Sequence, residues 1–303
     1  MGATIAMTFL QMTAPLVLFV DNQPVASRFL IMIVIMAIVS NICYLLCYKL
    51  SVERIQHHES QRPKVNYVET LKEISRNKPI LALMFSTIFA IMGASVANGM
   101  NIYLFKDYFQ NTSYLSLLGL LSTIGSLTVI MGIKPIVKKF GKKEASTLGA
   151  IFSICILACL VIFPTKNVLV FVILLLLINV GMGIFTMLIW AMVADCIDYQ
   201  ELQTGKRQEG SVYSTYTLFR KLGSAVASSI TSFSLGLIGY NGAVAVQSQE
   251  VVERIRLLAL GVPLVCYAIM LLILVFMYSL SKGNLVKLQE ELTIKRSQLK
   301  KAN

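Results

Sequence analysis

Apolar residues fall in eight runs that contain no Asp, Glu, Lys or Arg: 1–20, 29–48, 79–105, 108–133, 145–165, 167–194, 222–249 and 257–281. Each reaches the roughly 20 residues that a helix needs to cross a hydrocarbon layer about 30 Å thick. Polar and apolar positions do not alternate with period two, which argues against a β-barrel. The pattern predicts an all-α membrane protein with eight transmembrane helices. The seventh is expected to start earlier, near Gly210, and to carry Arg220 and Lys221 inside it. The run at 1–20 has no basic head and no small-residue cleavage pattern, so it reads as a span and not as a signal peptide.

The polar connections are short except at 49–78, a long segment of mixed charge with a surface helix expected around 67–74, before Pro79. Its His57 and His58 are adjacent and not at ligand spacing, so no metal site is expected. Lys and Arg are unevenly shared. One set of loops together with the tail carries 20 of them, the opposite set holds five, and Arg220 and Lys221 make up the 27. By the positive-inside rule the rich side is cytoplasmic, and both termini of the chain lie there.

Composition agrees: 56% of the 303 residues are hydrophobic and 14% are charged, against about 25% charged in soluble domains. The net charge of +12 is spread over short loop clusters, so nucleic acid is not an expected partner. The six cysteines imply no disulfide framework; Cys43/Cys47 and Cys155/Cys159 lie in apolar helices, where Cys packs as a small hydrophobe. No His-Glu-x-x-His, no Gly-x-Ser-x-Gly and no paired acids inside a span are present, so an enzyme is not expected.

Two stretches carry candidate chemistry. The loop from Lys134 to Lys143 ends in Phe-Gly-Lys-Lys, a tight turn whose lysines anchor the cytoplasmic face and reach C-terminal carbonyls of neighbouring helices. The segment from Trp190 to Gly210 places Asp195 and Asp198 three apart as the sixth span ends. There they meet the negative end of the helix dipole, with Lys206 or Arg207 the nearest compensating cations. These groups suggest a cytoplasmic gate that latches helices in one conformation. Lys221 lies about 16 Å into the seventh span, on one face with Ser214, Thr217, Ser224 and Ser228. An intramembrane cation of this kind calls for a wet cavity. All 15 acids are expected in loops or at membrane boundaries, so Lys221 has no evident counter-ion within the spans. Arg220, about 100° round the helix, reads as packing or snorkelling.

From Trp190 to Ser229 the motifs Ala-Asp-x-x-Asp-Tyr-x-Glu, Gly-Lys-Arg-x-Glu-Gly and Lys-Leu-Gly-Ser-Ala resemble the signature region of the glycoside–pentoside–hexuronide:cation symporters, the group that includes melibiose permease. The Phe-Gly-Lys-Lys loop and the charged tail after Ser281 fit as well. The resemblance implies a major-facilitator-like bundle of twelve spans, of which this chain resembles spans five to twelve. Residues 1–48 would then be the last two spans of an N-terminal six-helix bundle and 49–78 the cytoplasmic inter-bundle loop. Residues 79–281 would form the C-terminal six-helix bundle and 282–303 the cytoplasmic tail.

It further implies a secondary transporter in the inner membrane that moves a sugar or glycoside with Na⁺ or H⁺ by alternating access and uses no other cofactor. Lys221 and Thr217 match positions lining the substrate and cation site, and Asp195, Asp198 and Arg207 match the cytoplasmic gate. Trp190 lies about one turn from the family's sugar-stacking tryptophan. The carboxylates that bind the cation sit on the family's first, second and fourth spans and have no counterpart here. The cation site is therefore expected mostly outside this chain, and the alternative is a family member that inserts but does not transport.

Overall fold

The computed structural model describes residues 9–10, 13, 17–20, 23–51, 67–205, 208–242, 244 and 246–302. Most of the expected first span, His57, His58, Lys206 and Arg207 lie outside them. A two-residue antiparallel ribbon, Phe19–Val20 with Gln23–Pro24, precedes nine helices among the described residues. These are α1 Ala26–Leu50, α2 Tyr67–Arg76, α3 Lys78–Tyr103, α4 Ser113–Phe140, α5 Lys142–Ile162, α6 Val168–Thr204, α7 Glu209–Leu237, α8 Gln249–Phe276 and α9 Lys282–Ala302. A π-helical turn at Leu104–Tyr108 extends α3. Six of these helices are long and apolar enough to cross a membrane. The seventh expected helix, α7, has the length but carries more polar residues, and together they make a multi-pass, all-helical membrane protein.

Helix boundaries follow local chemistry. Asn77 caps α3 by accepting from Ile80 N, with Pro79 in the first turn, where its missing N–H costs nothing. Asn167 caps α6 and Ser248 caps α8 in the same way. Gly205, at φ +73°, ends α6 in the left-handed conformation that glycine adopts freely. The apolar run at 222–249 is not all helix, because α7 ends at Leu237 and Gly239 turns the chain at φ +77°.

Helices α3 to α8 share one buried core, with α3 packed between α7 and α8, and α6 against α4 and α5. Small residues permit the closest approach: a Cβ on Gly149 would strike the backbone of Gly181, and one on Gly181 would strike Ser153. Ser153 uses that proximity to donate to Ile178 O at 2.9 Å. A Cβ on Gly223 of α7 would press on the Ile88 backbone of α3. By contrast, α1 is apolar all round and buries no residue against the rest, as a helix does whose partner is lipid or another bundle.

Candidate functional site

Helix α6 runs 37 residues, about 55 Å at 1.5 Å per residue, so its last turns extend beyond the hydrocarbon. This corrects one expectation. Asp195 does not sit at a helix C-terminus, because α6 continues to Thr204 and the dipole penalty does not reach it. Among the described residues the cation beside it is Lys142, whose Nζ lies 2.7 Å from both Asp195 carboxylate oxygens; the expected Lys206 and Arg207 lie outside those residues. Gly141, at φ +104°, ends α4 and starts α5, which brings Lys142 to the first turn of α5 beside α6. The carboxylate side chain is 6% exposed and the lysine 26%, so the pair is largely desolvated.

Asp198, one turn on, meets the tail helix. Arg296 of α9 lies 3.7 Å from Asp198 and forks onto both oxygens of Glu201 at 2.9 and 2.6 Å, the bidentate geometry suited to guanidinium and carboxylate. Lys295 adds a bond to Leu202 O, and Leu288 and Leu292 bury the apolar side of α9. Lysines also close helix ends: Lys143 donates to Val275 O and Tyr278 O, and Lys282 to Lys138 O and Lys139 O. This is the carbonyl-binding role anticipated for the lysine loop. Beside Asp195, burial together with Cys196 and Asp195 pushes the Tyr278 phenol far above its ordinary range, so it stays neutral.

A neutral chain of amides crosses the same end. Asn77 Nδ2 donates to Cys196 O at 3.1 Å and to Gln200 at 3.4 Å. Gln200 donates to Gln208, and Gln208 to Glu73. Thus α2, α3, α6 and the start of α7 are tied together where the two expected acids lie.

Deeper in the membrane, α7 buries only Val212, Tyr216, Gly223 and Ala227. Ser214, Lys221, Ser224 and Ser228 are all exposed, and Thr217 is half-buried with its hydroxyl bonded back to Tyr213 O. The polar stripe read from helical spacing therefore exists and faces away from the bundle core. Beside it, on α6, Trp190 is 41% exposed. Its indole packs against the rings of Tyr216 (5.3 Å) and Tyr213 (6.1 Å). The Arg220 guanidinium carbon sits 5.3 Å from the indole centroid, a cation–π distance. Arg220, expected to pack or to snorkel, is partly buried and packs on the indole. Thr87 of α3 fixes Tyr216 through a 3.3 Å hydroxyl contact.

At the opposite end, Asp107 lies buried in the π-turn after α3 and not in an open loop. Burial and Asp107 together push Tyr240 up to about 12. On the same side Arg256 is buried and donates to Leu160 O and Val161 O at the end of α5, and to Glu253.

Lys142, Arg296 and the Trp190–Arg220 pair escaped the sequence reading. Helical spacing reports which residues share a face, not which helix faces them. The charge of the Phe-Gly-Lys-Lys loop was the signal for Lys142, and the i, i+3, i+6 acids at 195, 198 and 201 for a basic partner helix.

The profile of the MFS/sugar transport protein family matches residues 1–282. The chain is 30% identical over 250 residues to the uncharacterized symporter YjmB of Bacillus subtilis, an alignment covering 82% of this chain and 54% of that protein. It is 28% identical to the glucuronide carrier protein homolog of Escherichia coli, covering 74% and 48%. It is also 28% identical to the putative sulfoquinovose importer of Escherichia coli, covering 84% and 54%. The chain spans about half the length of the curated relatives it matches.

Proposed function

The chain belongs to the MFS/sugar transport protein family, and on that premise we propose that it serves secondary transport of a sugar or glycoside across the inner membrane, coupled to Na⁺ or H⁺. The relatives are named as symporters, carriers and importers, which supports transport over catalysis. Residues 79–281 form one six-helix bundle, 1–48 belong to the other, and 49–78 join them on the cytoplasmic side. The termini of the chain are cytoplasmic.

The observation that carries this reading is the polar stripe of α7, which Lys221 shares with Thr217 and whose Ser214, Lys221, Ser224 and Ser228 no helix among the described residues covers. Alternating access needs such a face at the midplane, where a second bundle closes over the substrate. Lys221 and Thr217 line the substrate face. The Asp195–Lys142 pair, Asp198 and Arg207 belong to the cytoplasmic gate, whose ion pairs break and reform as the bundles rock.

The test is uptake by the gene product in proteoliposomes, under an imposed Na⁺ or pH gradient, with a panel of radiolabelled glycosides. Lys221→Gln is expected to abolish gradient-driven accumulation while leaving insertion intact. Accumulation by that variant at the wild-type rate overturns the assignment of Lys221.

A further inference from the structure

We infer that Asn77 and Gln200 are positioning residues of the cytoplasmic gate, and that a one-way chain of amide hydrogen bonds through them couples the gate end of α6 to helix α2; this rests on the transport reading above. The last turns of α6 carry two sets of residues. Asp195, Asp198 and Glu201 meet Lys142 and Arg296. Cys196 and Gln200, one turn apart, meet Asn77 at the cap of α3. Asn77 and Gln200 are 1% and 2% exposed, and at such depth an unmatched amide costs more than a matched one contributes.

Donors and acceptors follow one direction along the chain. Asn77 Oδ1 accepts from Ile80 N and its Nδ2 donates to Cys196 O, so two backbone groups leave this amide a single orientation. Nδ2 also donates to Gln200 Oε1, which turns Gln200 Nε2 to Gln208 Oε1 at 2.9 Å. Gln208 Nε2 in turn donates to Glu73 Oε2 at 2.7 Å, and an ionised carboxylate can only accept. The backbone at one end and the carboxylate at the other therefore demand the same direction, and the three amides satisfy both.

The consequence is mechanical. Helix α2 is seated by Ile74, 3% exposed, and by Glu73, so a shift of α2 must break the bond to Gln208, the residue that precedes α7. Cys196 adjoins Asp195 and Gln200 adjoins Glu201, so the amide chain fixes the backbone on which the charged groups of the gate stand. Neutral bonds hold α2, α3 and α6 together while the ion pairs on the other side of α6 exchange partners.

Glu73 is half-buried, so replacing it tests the chain without opening the core. The experiment measures hydrogen–deuterium exchange of the purified gene product in detergent over residues 67–76 and 195–204. Glu73→Lys places a donor where the chain needs an acceptor. It is expected to speed exchange across α2 about tenfold, the worth of one charge-assisted hydrogen bond, and across 195–204 about two- to threefold. Glu73→Gln can still accept and is expected to stay within about threefold of wild type. Glu73→Lys combined with Gln208→Glu restores a matched pair and leaves Gln200 in its original orientation, so protection is expected to return.

Wild-type exchange in Glu73→Lys overturns the docking of α2 by this chain. Equal loosening by Glu73→Gln and Glu73→Lys, or no recovery in the double variant, overturns the donor–acceptor direction. Loosening of α2 with 195–204 unchanged overturns the positioning role. Uptake of the glycoside panel in proteoliposomes separates the chain from the transport reading. Glu73→Lys is expected to lower the maximal rate severalfold with KM unchanged, and a raised KM at an unchanged maximal rate overturns the link to the gate. No uptake by wild type under any gradient sinks the transport reading, while the exchange pattern still decides whether the chain couples α2 to α6.

Discussion

Lys142, in the first turn of α5, holds both carboxylate oxygens of Asp195 on α6 at 2.7 Å across 53 positions of sequence. Removing the cation alone leaves a nearly buried carboxylate without compensation. Lys142→Met is therefore expected to cost about 3 kcal/mol, read as a lower thermal midpoint in detergent. The double variant Lys142→Met, Asp195→Leu should recover much of that loss. Additive losses would show that the two side chains do not act as a pair.

Arg296 behaves differently because it is half exposed. Arg296→Ala should change global stability by less than about 1 kcal/mol. It should nevertheless free α9 from α6, seen as faster trypsin cleavage at Lys287 and Lys295. Cleavage at the wild-type rate would mean that Leu288 and Leu292 hold the tail without the ion pair.

The α5–α6 crossing depends on two glycines. Gly181→Leu forces the helices apart at Gly149 and Ser153 and is expected to destabilise by about 1–3 kcal/mol. Gly261 on α8 is the contrasting case, since a Cβ there meets nothing within 4 Å. Gly261→Ala should stabilise by up to about 1 kcal/mol. Thermal unfolding of the two variants side by side separates close packing from helix propensity.

At the other end of the bundle, Arg256 joins α8 to the last carbonyls of α5. Arg256→Leu keeps bulk but removes the donors, and is expected to cost about 1.5–3 kcal/mol. A midpoint unchanged from wild type would show that water replaces the guanidinium at those carbonyls.

Much of the fold was legible in the chain because it depends on local quantities. The six apolar runs from 29 to 194 and from 257 onward reappear as helices, as does the short surface helix before Pro79, since each run's length and caps determine it. The stripe of Ser214, Thr217, Lys221, Ser224 and Ser228 was legible too, because 3.6 residues per turn places them on one side. The sixth helix was read too short. Charge was taken as its end, whereas backbone hydrogen bonds continue until Gly205 supplies a positive φ.

The sequence by itself determined that this protein lives in a membrane, roughly where its helices lie, and which face of α7 is polar. Those properties come from hydropathy and helical period, which act over a few turns of one chain segment. Only the tertiary structure decided that Asp195 belongs to Lys142, that Arg296 joins the tail to α6, and that Arg220 rests on Trp190. Those pairings arise between helices, and the small-residue contacts that set helix approach and rotation bring the partners within reach from dozens of positions apart.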